Sequence, residues 1–263
     1  MKRIAVLMTC YNRVQTTLSC LESLFACSVP DGIGLDVWLV DDASPDETGK
    51  KVKAIYPDVH ILKSEGDLYW CRGMRYAWEQ ASSYSDYDYY LWLNDDVKLV
   101  HDAIFRIIRN SLIQADASIV YGSTTEDGTP ETPKTYGMRR YGEMNGNFVL
   151  VQKKVFQKVG YIYGGFHHAY GDHDYAWQAI KRGISLVECD KIIGRCLREP
   201  VRYSHMDGRS LIGRLKLLVD VKGYNLHDAV IYKYRKSGII GAILSCGHIV
   251  WLVLRGIPAS DRN

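Results

Sequence analysis

The chain of 263 residues contains no C-x-x-C pair and no finger-type spacing among its seven cysteines, an odd number. Cys10, Cys20, Cys27 and Cys71 fall within apolar patterns, as reduced core thiols do, which points to a cytosolic setting. Acid and base nearly balance at a net charge of +3, so composition gives no reason to expect a nucleic-acid partner. Internal repeats and low-complexity segments are absent. The longest apolar run, "GIIGAILSCGHIVWLVL" at 238–254, falls short of the roughly 20 residues of a membrane span and contains His248. The start, "MKRIAVLMTC", imitates a secretion signal, but its apolar run is short and no small-residue cleavage site follows. It is expected to be a buried first strand. Aromatics, by contrast, are plentiful: 19 Tyr and 6 Trp, side chains that suit sugar faces and membrane interfaces, although most should fill core and surface.

The first half alternates in hydrophobic period. "IAVLMT" is a continuous apolar run of the kind covered on both faces of a sheet, and Val14, Leu18, Leu21 and Leu24 then recur at helical spacing. "LDVWLVD" reads as a strand, 46–56 as a helix, "VHIL" as a strand and "RGMRYAWEQA" as a helix. "YYLWLN", "DAIFRIIRNSLIQ" and "SIVYG" continue the alternation, and 123–141, rich in Gly, Pro and Thr, reads as a surface loop. A second block holds "GNFVLV" as a strand, "GGFHHAYGDHDYAWQAIKRG" as a loop entering a helix, and "ISLVE" as a strand. Regular alternation predicts an α/β fold with a mainly parallel, doubly wound sheet and right-handed crossovers. Ligands of such sheets collect at the carboxyl ends of the strands, which singles out "TCYNR", "DDASPD" and "NDD".

Three acid-bearing strand ends in one crevice suit a ligand that brings both negative charge and a metal, such as a nucleoside diphosphate. A hard divalent cation would bind carboxylate oxygen on one side and phosphate oxygen on the other. Asp96 is the expected direct ligand, with Asn94 and Asp95 shaping the tip and holding water or ribose. His167 and His168 lie in series, but no third residue at suitable spacing completes a zinc site.

The order "TCYNR", "WLVDDASPD", "LWLNDDV" and "GDHDYAWQAIKRG" resembles that of the family-2 glycosyltransferases of the GT-A fold, over about residues 3–210. "GDLYWCRGMRYAWE" is similar to a bacterial branch that includes rhamnosyltransferases. The resemblance implies nucleotide contacts from Thr9, Tyr11 and Arg13, and a bond from Asp42 to the base, with Asp41 shaping the turn. Trp70, Arg72 and Gly73 would approach the donor, Arg72 by pairing with phosphate and Gly73 by admitting close backbone. "NDD" occupies the D-x-D position, so Asp96 would bind Mn²⁺ or Mg²⁺, with Asn94 for the first acid. "GDHD" matches an E-D-x-D segment, with Gly171 where Glu is usual. Asp172 would then be the general base, and Asp174, on the same acceptor-side segment, would cap the helix that begins there. His205 matches a late histidine that contacts metal or diphosphate. Asn145 and Gly146 would line the sugar site, and His168 would face the acceptor.

These readings combine into an inverting, metal-dependent transfer of a sugar from a nucleotide-sugar donor, dTDP-rhamnose before a UDP-sugar, to a saccharide hydroxyl. The implied organisation is a GT-A unit at 1–210, with a nucleotide half at 1–122 and an acceptor half at 142–210, and a helical region at 211–263. Residues 195–236 hold ten Lys/Arg against four acids, next to the apolar run with Trp251. That composition resembles an anchor lying on an anionic membrane surface. It suggests a lipid-linked acceptor on the cytoplasmic side of the plasma membrane, in bacterial surface polysaccharide synthesis. An inactive nucleotide-binding partner of a membrane-bound assembly is the alternative that Asn94 and Gly171 keep open. A nucleotidyltransferase should carry a Gly-rich phosphate loop after the first strand, and "TCYNRVQTT" contains no glycine.

Overall fold

A computed structural model describes residues 1–114, 117–125, 144–196 and 210–255. The first half alternates as expected: β1 (Lys2–Cys10), α1 (Val14–Phe25), β2 (Ile33–Asp41), α2 (Thr48–Ile55), β3 (His60–Lys63), α3 (Tyr69–Tyr84) and β4 (Tyr89–Leu93). Then come β5 (Val97–Leu99), α4 (Ala103–Leu112), β6 (Ser118–Tyr121) and β7 (Thr124–Thr125). The second block holds β8 (Phe148–Gln152), α5 (Lys153–Val159), α6 (Gly171–Lys181), β9 (Ser185–Glu188) and β10 (Gly194–Cys196). Two helices follow, α7 (Leu211–Val219) and α8 (Leu226–Arg255). The loop expected at 123–141 starts with the short β7, and the rest of it lies outside the described residues, as does His205.

Seven strands form one sheet in the order β3-β2-β1-β4-β8-β6-β9, parallel except for β8, which runs antiparallel to β4 and β6. A small second sheet, β5-β10-β7, stands beside it. The pleat sorts β1 cleanly. Ile4, Val6, Met8 and Cys10 join the core beneath α1 and α4, while Ala5 and Leu7 join the core beneath α3 and α6. Both faces are therefore covered, which is why the strand reads as an unbroken apolar run. Cys10, Cys20, Cys27 and Cys71 are buried and unpaired, as their setting suggested.

α3 begins at Tyr69, three residues before the expected start. Its first amides are held by the Asp42 carboxylate, which accepts from Leu68 N at 3.1 Å and Tyr69 N at 3.0 Å. Periodicity alone cannot register a cap supplied from a different strand. α8 is two helical pieces divided at Gly238, whose φ of 71° and ψ of −164° are not helical.

Candidate active site

The chain runs outward from β1 through β2 to β3 and then returns to β4 on the other side of β1. The crevice of an open α/β sheet lies at such a reversal. A cavity of 530 Å³ opens there, lined by Thr9, Tyr11, Arg13, Asp42, Trp70, Asp95 and His168. The segment Glu65, Gly66, Asp67 and Tyr69 adds a wall, as do Asp220 and Lys222 from the turn between α7 and α8. A second cavity of 530 Å³ is lined by Trp70, Asn94, Asn145, Gly146, Asn147, His168, Tyr170, Asp172, His173 and Tyr224. Trp70 and His168 border both, so the two cavities adjoin.

The acids of the strand tips divide their tasks. Asp41 accepts from Ser44 N at 2.9 Å and Gly49 N at 2.8 Å, so it builds the turn as expected. Asp46 reaches Val14 N at 3.0 Å and Thr48 N at 3.1 Å, tying the starts of α1 and α2 together. Asp42 lines the cavity, but Ser64 Oγ at 2.6 Å joins the α3 amides in filling its lone pairs. Its carboxylate therefore organises the entry to α3.

At "NDD" the Arg13 guanidinium lies 3.2 Å from Asp95 Oδ1 and 3.3 Å from Asp96 Oδ2. Asp95 is buried, and burial pushes its carboxyl up to about 7 against the opposing pull of Arg13. Thr17 Oγ1 donates to its other oxygen at 3.0 Å. Asp96 is more open, at 30% exposed, and its Oδ1 meets the Cys196 thiol at 3.6 Å. This oxygen-only tip suits Mg²⁺ or Mn²⁺, which bind through one or two carboxylates and complete their shell with phosphate oxygens and water. The expectation for Asn94 needs correction. Its Oδ1 accepts from Trp70 Nε1 at 2.6 Å and its Nδ2 donates to Asn147 Oδ1 at 2.6 Å. The side chain is a brace that sets Trp70 between the cavities.

Asp172 sits in the first turn of α6, at the wall of the second cavity. Gly146 N donates to its Oδ2 at 3.0 Å and His173 N to its Oδ1 at 2.8 Å, which fixes the carboxylate while leaving it 20% exposed. Gly146 is required for that approach, since a Cβ there would stand 2.8 Å from Trp70. Asn145 is exposed beside it, and its Oδ1 accepts from Asn147 N at 3.0 Å.

Three further expectations change. Asp174 does not cap α6, whose N-cap position is Tyr170; it is buried and holds the Arg235 guanidinium through both oxygens at 2.9 Å. Gly73 lies against Thr9, where a Cβ would come 2.4 Å from Thr9 Oγ1, so it serves helix–strand packing rather than the cavity. Arg72 does not border either cavity and instead meets His167 Nε2 at 2.9 Å.

His167 does find the companions that local spacing lacked. His167, His227 and Asp228 place their ligand atoms within 4.8 Å of one another. An arginine can only donate, so its contact makes Nε2 the acceptor and leaves the His167 proton on Nδ1, directed at Asp228 Oδ1 at 3.0 Å. That tautomer favours a hydrogen-bonded latch over a metal site. Asp228, fully buried, also accepts from His227 Nδ1 at 3.0 Å and His167 N at 2.9 Å. Burial would raise its carboxyl, yet these donors outweigh burial and hold it below the ordinary value. His168 is partly buried, which lowers its pKa, and its Nδ1 has no partner among the described residues.

Sequence reasoning missed Lys222, Asp220 and Tyr224 because they lie in the basic C-terminal stretch, where nothing local distinguishes them. A turn between two helices was the available signal.

A parallel-cored sheet with a nucleotide-sized crevice, an acid pair at a strand tip and a second carboxylate in an adjoining cavity defines a GT-A-type transferase architecture. The sequence profile of glycosyl transferase family 2 matches residues 5–170, and the chain belongs to that family. No curated protein sequence matches the chain. Among solved structures, S. aureus TarS 1-349 superposes with a TM-score of 0.62 at 13% identity, over 98% of this chain and 76% of that one. The same TarS segment in complex with UDP-GlcNAc gives 0.62 at 14% identity, over 98% and 76%. Mannosyltransferase PcManGT from Pyrobaculum calidifontis, in complex with GDP-Man and Mn²⁺, gives 0.58 at 14% identity, over 97% and 76%. Likeness at such identity establishes the GT-A fold.

Proposed function

We propose that the chain is an inverting glycosyltransferase that binds its nucleotide-sugar in the strand-tip cavity and its acceptor in the cavity of Asp172. One observation carries this reading: the Asp172 carboxylate, held by two backbone amides, faces a cavity that adjoins the crevice across Trp70 and His168. The acceptor oxygen attacks the anomeric carbon as its proton passes to Asp172, and the bond to the diphosphate oxygen breaks. Positioned proton transfer of this kind contributes about 10²–10⁴-fold. Asp96 would hold Mn²⁺ or Mg²⁺, whose chemistry is to neutralise charge on the departing diphosphate.

For the donor we favour dTDP-rhamnose, with a UDP-sugar next, on the likeness of "LYWCRG" to the rhamnosyltransferase branch. The neighbouring folds bound to UDP-GlcNAc and GDP-Man support a sugar diphosphonucleoside in general. A lipid-linked saccharide is the acceptor we assign, reached from the cytoplasmic membrane face, because the C-terminal helices expose Ile212, Leu215, Ile240, Ile243 and Leu244.

The test is thermal stability of the purified chain with UDP, dTDP or GDP, with and without Mn²⁺, followed by donor turnover. A ligand at a hundred times its Kd raises stability by about 2.7 kcal/mol. Asp96→Ala should remove the metal-dependent share. Asp172→Asn should keep nucleotide binding while turnover falls at least about 100-fold. Equal turnover in Asp172→Asn would refute the assignment of the base.

A further inference from the structure

The donor crevice poses a problem of charge. Its described lining includes Asp42, Glu65, Asp67, Asp95 and Asp220, and one of its cations, Arg13, already faces Asp95 and Asp96. A diphosphate entering such a wall needs a cation whose charge is not already engaged. Lys222 is the other cation of the described lining, and its ammonium has no hydrogen-bond or ion-pair partner among the described residues. We infer that Lys222, carried on the turn between α7 and α8, binds the diphosphate of the donor, so that the C-terminal helical pair supplies one wall of the nucleotide site. This inference rests on the nucleotide-sugar reading above.

The turn is built to hold that position. Asp220 Oδ1 accepts from Lys222 N at 3.0 Å, Gly223 N donates to Asp220 O at 2.9 Å, and Tyr224 N donates to Leu217 O at 3.0 Å. Gly223 passes so close that a Cβ would stand 2.8 Å from Leu217 O. Asn225 then accepts from Asp228 N at 3.2 Å and starts α8. From α8, Asp228 grips the backbone of His167 at 2.9 Å and Arg235 grips Asp174 at 2.9 Å, so the turn is fastened to the same segment that carries His168 and Asp172. The charge of Lys222 is felt at the junction of the cavities, where, after burial, it is the largest influence lowering the His168 pKa.

The experiment is calorimetric titration of UDP, dTDP and GDP, and of uridine, thymidine and guanosine, into the full chain with Mg²⁺, comparing wild type, Lys222→Met and Lys222→Arg. A hydrogen bond to a charged group is worth about 1.5–3 kcal/mol, so Lys222→Met should weaken the diphosphates about tenfold to a hundredfold. Nucleoside affinity should not change, and Lys222→Arg should restore most of the loss. Diphosphate affinity unchanged in Lys222→Met, while wild type binds normally, overturns this inference and leaves the transferase reading intact. Equal losses for nucleoside and diphosphate also overturn it, since they would report a disturbed wall. Failure of wild type to bind any of the diphosphates overturns both readings together.

Discussion

At position 171 the E-D-x-D segment that "GDHD" resembles would carry a glutamate; this chain carries a glycine, and the packing around it is close. A Cβ at Gly171 would lie 2.5 Å from Cys71 Sγ, 3.0 Å from Ile162 Cδ1 and 3.3 Å from the Trp70 ring. Cys71 and Trp70 have taken the space that a side chain there would use, and Trp70 in turn is braced by Asn94 at 2.6 Å. Asn94 and Gly171, the two departures from the resembled motifs, therefore both lie against Trp70. Gly171→Glu should cost about 1–3 kcal/mol through overpacking, read as a lower urea midpoint, and should shift Trp fluorescence as the indole is displaced. Unchanged stability and emission would show that the pocket yields freely. Legibility at this scale followed chemistry. Asp96 was singled out by its place at a strand tip, while Asp41 and Asp172 were singled out by the resemblance; the structure puts Asp41 in its turn, Asp96 at the tip beside Arg13 and Asp172 at a cavity wall. Arg72, Gly73 and Asp174 were misjudged because a residue's position on a helix does not reveal which distant partner it faces.

α8 shows the same limit at the level of an element. Its first piece presents Asp228 to His167 and Arg235 to Asp174, at sequence separations of 61, and stacks Tyr232 on Tyr170 with ring centroids 5.0 Å apart. Lys236 O accepts from Trp177 Nε1 at 3.3 Å, and the Arg235 guanidinium lies 3.9 Å from the centre of the Tyr163 ring. In composition these residues belong to a basic run, which is normally read as a solvated or membrane-facing surface. The fold instead uses part of that run as a clamp on α6 and the loop before it. Asp174 is 2% exposed at its side chain, so removing Arg235 leaves a buried carboxylate without its cation. Arg235→Ala should lower stability by about 3–5 kcal/mol in chemical denaturation. The double variant Asp174→Asn/Arg235→Met should recover much of this, because no charge then remains buried. A double variant no better than the single one would place the loss in the packing of Arg235 on Tyr163.

For the whole molecule, alternation of strand and helix made the sheet and its ligand-binding edge readable, because both faces of each central strand are covered and the apolar runs record it. The relation of the last helices to that body was not readable, since it depends on single long-range bonds. By length and composition α8 could cross a membrane, but Gly238 divides it. Residues 239–255 span only about 25 Å at 1.5 Å per residue, less than the roughly 30 Å of a bilayer core. Ile239, Ile240, Ile243, Leu244 and Leu254 are each at least 63% exposed, while Leu252 and Val253 pack on Leu217 and Leu218 of α7. One side thus docks to the protein and the other is apolar and open, with Arg214 and Lys216 nearby in sequence on α7, as suits a helix lying in an anionic interface. The full chain should therefore co-sediment with vesicles containing anionic lipid more than with neutral ones, and added salt should weaken the attachment by screening. Each exposed aliphatic side chain transferred to lipid is worth about 1.5–3 kcal/mol, so Ile240→Glu/Ile243→Glu should reduce partitioning at least about 100-fold. Turnover of a soluble acceptor should be preserved in that variant, because these positions lie beyond the kink from the clamp. Equal partitioning of wild type and variant would mean that this face meets another surface, and a change in oligomeric state measured by light scattering would identify it as a second copy of the chain.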